Sequence, residues 1–77
     1  MNRKHKEKYM QLGLNIAFYR KLKGLTQEKL AESVNLSRNH ISKIEAVNVD
    51  TAVSLEKLFD IADALETSVS KFFEIRE

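Results

Sequence analysis

Between positions 26 and 45 the apolar residues fall at Leu30, Ala31 and Val34, then at Leu36, Ile41 and Ile44, a helical spacing broken once, at Asn35. Two short helices, over about 27–34 and 38–45, meeting at a tight turn account for the break. Thr26 and Ser37 stand where each helix would begin, and a hydroxyl there can accept from a free backbone N–H of the opening turn. Asn35 is one of the few residues besides Gly that tolerates the left-handed backbone of a sharp helix-to-helix turn. Ala31, in the middle of the first of these helices, is small enough to let the second cross closely. The unit reads as a helix-turn-helix.

The same periodicity places three further helices around it. A first helix over about 6–23 ends at Gly24, with Leu12, Ile16 and Tyr19 forming a core stripe and Arg20 beside it. A second stripe on that helix, Met10, Leu14, Phe18 and Leu22, is spaced by four and lies roughly opposite. Either the C-terminal segment folds back over it or it meets another subunit. The fourth helix, about 52–65, has Asp50, Thr51 and Ser54 as possible caps and a broad apolar set from Leu55 to Leu65. Its Glu56, Asp60 and Asp63 form a ridge best read as solvated. A fifth helix over about 68–75 carries Val69, Phe72 and Phe73, followed by Ile75. Adjacent helical residues diverge by about 100°, so the two Phe cannot share one narrow stripe and one leaves the core. Phe72, Phe73 and Ile75, with Phe59 on the outer side of the fourth helix, are the preferred dimer seam; the second stripe of the first helix is the alternative. The fold class is all-α, a compact five-helix bundle, one domain over 1–77.

Composition narrows the field without changing that picture. A chain of 77 residues supports one modest core. It has no Cys, which leaves neither a disulfide framework nor a thiolate metal site. His5 and His40 are far apart with no third ligand in view, so no metal and no cofactor is expected. No apolar run approaches the ~20 residues of a membrane span, and no signal peptide is evident, which fits a cytoplasmic protein.

Charge is more telling in its distribution than in its total of +2. Residues 1–43 carry ten Lys or Arg against three Glu, whereas residues 44–77 carry three against eight Asp or Glu. One end is basic and the other acidic, an arrangement that steers the basic side toward a polyanion. The basic residues 1–8 read either as an arm reaching phosphate or a minor groove or as a solvated lead-in to the first helix.

The outward face of the third helix is the most informative surface. At about 100° per residue, Ile41 and Ile44 point inward while Asn39, Ser42 and Lys43 project oppositely, flanked by Arg38 and His40. That face has no aliphatic residue and no carboxylate. A guanidinium, an amide, a hydroxyl and an ammonium are the groups that read base edges in a major groove, Arg or Lys to guanine and Asn to adenine. Gln27, at the start of the second helix among free N–H groups, is a natural phosphate contact.

From about Leu12 to Phe73 the chain resembles the Cro/CI-like, or XRE-type, family of phage repressors and bacterial regulators. The matching residues are Arg20, the run from Gly24 to Ala31, then Ser37, Ile41, Ile44 and Glu45, then Leu58, Ile61, Ala62, Ala64 and Leu65. The resemblance implies a lambda-repressor-like five-helix domain that binds double-stranded DNA as a homodimer on a two-fold operator. It also implies that Arg20 pairs with Glu45 and that Gln27 contacts the DNA backbone while bracing the third helix. Two departures stand out. Asn35 replaces the family's usual turn Gly, and the stretch Ala46 to Ala52 is about two residues longer than usual and lacks Pro.

The expected function is therefore sequence-specific transcriptional regulation, most simply repression. Arg38, Asn39, Ser42 and Lys43 would read bases; Gln27, Thr26, Lys29, Ser37 and His40 would hold the backbone. No enzyme is expected, since no nucleophile and base, phosphate loop or metal set is present, and no small-molecule ligand is evident. The competing reading is a protein-interaction module, an antitoxin or adaptor built on the same fold, docking through the apolar stripe of the first helix and the Phe pair.

Overall fold

The computed structural model describes residues 4–46 and 53–75, and among these it contains four α-helices and a C-terminal 3₁₀ turn. They are α1 (Lys6–Leu22), α2 (Gln27–Ser33), α3 (Arg38–Glu45), α4 (Leu55–Ala64) and the turn Val69–Phe73. The starts of α2, α3 and α4 are set by hydroxyl caps. Thr26 Oγ1 accepts from the Lys29 N–H at 3.0 Å, Ser37 Oγ from His40 at 3.0 Å and Ser54 Oγ from Lys57 at 3.1 Å. Of the three possible caps for the fourth helix, Ser54 is thus the one used, and α4 starts at Leu55 rather than near 52. Asp50 and Thr51 lie outside the described residues, as does most of the longer stretch after Ala46.

Three helices end in the same way. After α1 the backbone turns left-handed at Gly24 (φ 82°), and the N–H groups of Gly24 and Leu25 return to the carbonyls of Lys21 and Arg20, both at 3.0 Å. After α2 the left-handed residue is Asn35 (φ 58°), with Leu36 bonding back to Ala31 at 2.9 Å. After α4 it is Glu66 (φ 55°), with Thr67 bonding back to Ala62 at 3.0 Å. The paired bonds satisfy carbonyls that a helix end otherwise leaves orphaned. Gly adopts this conformation freely and Asn with little penalty, whereas Glu is held there against its own preference.

A single apolar cluster joins the elements. Ile16 of α1, Leu30 of α2, Ile41 of α3, Ile61 of α4 and Phe72 of the C-terminal turn are all fully buried within it. Each such side chain contributes about 1.5–3 kcal/mol by leaving water. α1 approaches α3 closely at Gly13, where an added Cβ would lie 2.4 Å from the Ile44 carbonyl oxygen at the end of α3. α4 is tied to the helix-turn-helix by Lys57, whose Nζ donates to the Val34 carbonyl at 2.7 Å, just beyond the end of α2.

The expected fifth α-helix is corrected: residues 69–73 form a short 3₁₀ turn. Ser68 caps its start, and its bonds close three residues back, with Lys71 N–H on the Ser68 carbonyl at 3.0 Å and Glu74 N–H on the Lys71 carbonyl at 3.4 Å. The backbone turns extended at Glu74, where Asn15 of α1 holds the chain. Its Nδ2 donates to the Phe72 oxygen at 2.8 Å and to the Glu74 oxygen at 2.7 Å. The two Phe do part company, Phe72 inside and Phe73 outside. Phe72 therefore has no surface to give to a subunit seam and is withdrawn from it. The turn packs on the side of α1 that carries Asn15 and Tyr19, with the Tyr19 and Phe72 rings 6.2 Å apart. Leu14 and Leu22 remain exposed, so the C-terminal segment does not cover them.

Candidate nucleic-acid interface

The helix that presents the candidate base-reading groups is mounted at both ends and along its inner side. Ser37 caps its N-terminus, and Ile41 and Ile44 bury its inner stripe. At its C-terminus Glu45 is buried, with three donors on its carboxylate. Arg20 Nε reaches Oε2 at 2.7 Å, Arg20 Nη2 reaches Oε1 at 3.0 Å, and Gln27 Nε2 reaches Oε1 at 2.9 Å. The remaining Arg20 fork donates to the Leu25 carbonyl at 2.8 Å. A bidentate guanidinium–carboxylate pair is directional, and this one joins α1 to α3. Gln27 brings the start of α2 into the same cluster. Such a pair adds little net stability, yet removing one partner strands a buried charge. Its use is to set the angle of α3.

With that mount in place, Arg38, Asn39 and Lys43 are exposed, while Ser42 and His40 are half-buried beside them. The helical rotation puts Asn39, Ser42 and Lys43 directly away from Ile41 and Ile44. The face is free of carboxylates, because Glu45, the one acid on α3, is turned inward onto Arg20. It offers hydrogen-bond donors and acceptors to a base edge and positive charge to a polyanion.

The candidate backbone contacts stand at the starts of α2 and α3. Thr26 and Ser37 use hydroxyl lone pairs as caps, which leaves each O–H proton available to an acceptor. Gln27 uses one of its two amide protons on Glu45, and its side chain is only half-buried. Lys29 is exposed, with its ammonium 3.9 Å from Glu32 on the next turn, so its charge is partly offset. The acidic ridge of α4 is elsewhere; Glu56 and Asp63 are exposed and Asp60 lies 3.8 Å from Lys57. Residues 1–3, part of the basic N-terminal stretch, lie outside the described residues, whereas Lys6 and Lys8 are exposed on the first turns of α1.

Two residues of α1 that hold other elements in place escaped the sequence reading. Gly13 makes the close approach to Ile44, and its signal was a glycine inside a helix, unfavourable by about 1 kcal/mol relative to Ala unless packing requires it. Asn15 is fully buried, and its signal was a polar residue between Leu12 and Ile16 on the core side of α1.

Comparisons with known proteins agree with this geometry. The helix-turn-helix family profile matches residues 16–72. The control protein C.SmaI of Serratia marcescens is 40% identical over 60 residues, 78% of this chain and 69% of that protein. Among solved structures, the restriction-modification controller protein C.AhdI from Aeromonas hydrophila superposes with a TM-score of 0.81 at 28% identity, over 92% of this chain and all of that one. SinR, the master regulator for biofilm formation, solved in complex with DNA, matches with a TM-score of 0.73 at 32% identity, over 82% of this chain and 98% of that one. The N-terminal DNA-binding domain of SinR from Bacillus subtilis gives 0.76 at 29% identity, over 88% and 97%. With its helix-turn-helix mounted on a buried Arg20–Glu45 pair and this family profile spanning most of its length, the chain belongs to the XRE-type helix-turn-helix family of DNA-binding transcriptional regulators.

Proposed function

We propose that the chain is a sequence-specific regulator, in the simplest case a repressor, that acts in the cytoplasm as a homodimer on a two-fold symmetric operator. The observation that carries this reading is the carboxylate-free outer face of α3, held at a fixed angle by Arg20, Glu45 and Gln27. One α3 enters each of two major grooves about 34 Å apart, one helical turn, or at a related spacing. Arg38, Asn39 and Lys43 select sequence, helped by Ser42. Gln27, Thr26, Lys29, Ser37 and His40 fix the register on phosphates. Repression follows wherever the site overlaps a promoter. The likeness to C.AhdI supports restriction-modification genes as the target class.

The subunits meet through Phe59, Phe73 and Ile75, which are 49%, 59% and 80% exposed. Phe73 borders a groove of about 420 Å³ whose apolar lining includes Leu12, Val53, Leu55 and Leu58. Phe59 lies one turn along α4 from Leu55. An isologous contact lets the Phe73–Ile75 segment of each copy cover the other's apolar rim.

Selection from a random double-stranded DNA pool at about 0.15 M salt, where phosphate-only binding is already weakened, reads site and symmetry together. An enriched inverted repeat is the expected result. Failure of a folded protein to enrich any sequence would refute this reading in favour of a module whose main contact is another protein.

A further inference from the structure

A fully buried amide in the middle of a helix needs a reason, because an apolar residue would fill the same slot without needing partners. Asn15 sits between Leu12 and Ile16 on the core side of α1 and is fully buried. All its polar capacity faces one place. Both protons on Nδ2 go to main-chain carbonyls nearly sixty positions away, Phe72 O at 2.8 Å and Glu74 O at 2.7 Å, and Oδ1 accepts from Gln11 Nε2 at 3.2 Å. Two carbonyls on one side fix which end of the amide is nitrogen. The two carbonyls bracket Phe73.

Burial of Phe72 does not need this arrangement, since its ring is held by the core and by Tyr19. What the amide adds is the path of the chain after Phe72. At Glu74 the backbone is extended (φ −77°, ψ 141°), and Phe73 and Ile75 emerge to solvent on either side of it. We propose that Asn15 is a positioning residue for subunit association: its amide clamps the carbonyls around Phe73 and so sets the direction in which Phe73 and Ile75 are presented to a second copy of the chain. The inference rests on the reading of Phe73 and Ile75 as the dimer seam. Gly13, two residues away on the same helix, carries the Ile44 backbone at the end of α3. The seam and the base-reading helix are thus both referenced to one stretch of α1, which ties the angle between subunits to the spacing of two half-sites.

The test is a double-mutant cycle on the dimer dissociation constant, measured by sedimentation equilibrium for wild type, Asn15→Ser, Phe73→Ala and the double variant. Each single change should weaken the dimer by about tenfold or more, and the double variant should be weaker than Phe73→Ala by much less than the factor that Asn15→Ser costs alone, because Asn15 acts through Phe73 and, beside it, Ile75. If the two effects simply multiply, or if Asn15→Ser lowers the unfolding midpoint while leaving the dissociation constant unchanged, the proposal is wrong. Should Asn15→Ser fail to fold, Gln11→Ala removes the partner of Oδ1 from a half-buried position and should weaken the dimer with little change in unfolding midpoint. An unchanged dimer in that variant refutes the clamp. A dimer indifferent to Phe73→Ala overturns the seam and the role of Asn15 together; a dimer sensitive to Phe73 but not to residues 11 and 15 overturns the clamp alone.

Discussion

Gly13 of α1 and Ile44 of α3 meet backbone to backbone, so closely that a methyl group on Gly13 would lie 2.4 Å from the Ile44 carbonyl oxygen. The obstacle is main chain at the end of a helix anchored by Ile41, Ile44 and Glu45, so it cannot swing aside as a flexible side chain would. Gly13→Ala is therefore expected to force α1 and α3 apart, costing about 1–3 kcal/mol by overpacking, more than the gain in helix propensity returns. Urea denaturation measures the stability change. Titration onto the selected operator should show weaker binding even below the unfolding range, because the shifted element is the one that faces DNA.

Arg20 and Glu45 separate stability from geometry. Glu45→Ala leaves the Arg20 guanidinium buried without its carboxylate and should destabilise by about 3–5 kcal/mol. Replacing both, as Arg20→Met with Glu45→Leu, removes the stranded charge and should recover most of that loss. DNA affinity should not recover in parallel, because two apolar side chains cannot set the angle of α3 as a bidentate pair does. Comparing denaturation midpoints with operator affinity across wild type and the two variants checks both halves of this statement.

The contact between Lys23 and Glu66 joins the end of α1 to the left-handed residue after α4. The hydrogen bond and charge of Lys23 hold the Glu66 carboxyl below its ordinary value of 4.5. A carboxyl whose folded value is depressed contributes stability that is present above the unfolded value and is lost as pH falls through the folded one. The gap in melting temperature between wild type and Lys23→Met should accordingly be present at pH 6 and close as the solution is taken down below pH 4.5. Glu66→Gly gives up this exposed contact but relieves the left-handed strain, and should raise the melting temperature at both ends of that range.

How far the sequence could be read follows from which signals are local. Thr26, Ser37, Asn35 and the apolar spacing around them are short-range features, and the elements they define, α2 and α3, came out within a residue. The start of α4 was ambiguous because Asp50, Thr51 and Ser54 are equally good caps in isolation; Ser54 is the one whose hydroxyl accepts from Lys57. The fifth helix was misread because Val69, Phe72 and Phe73 have the same spacing in a short 3₁₀ turn as in the first turn of an α-helix, and the extended backbone at Glu74 has no local signal. Phe72 was assigned to the seam for the same reason: with a full helix at that point, rotation alone could not say which of two adjacent Phe turns inward. The contact of Gln27 with Glu45 joins α2 to α3 over a distance that no spacing rule supplies, and only the family resemblance pointed to it.

Base reading by the outer face of α3 stands or falls with Arg38. Binding isotherms of wild type and Arg38→Ala should be measured at about 0.15 M salt on the selected operator and on its single base-pair variants. Arg38→Ala should lose about 1–3 kcal/mol on the best site, with discrimination flattened at one base pair of each half-site and kept at the others. Binding of the best site by Arg38→Ala as tightly as by wild type, with the same preference at every position, would contradict it.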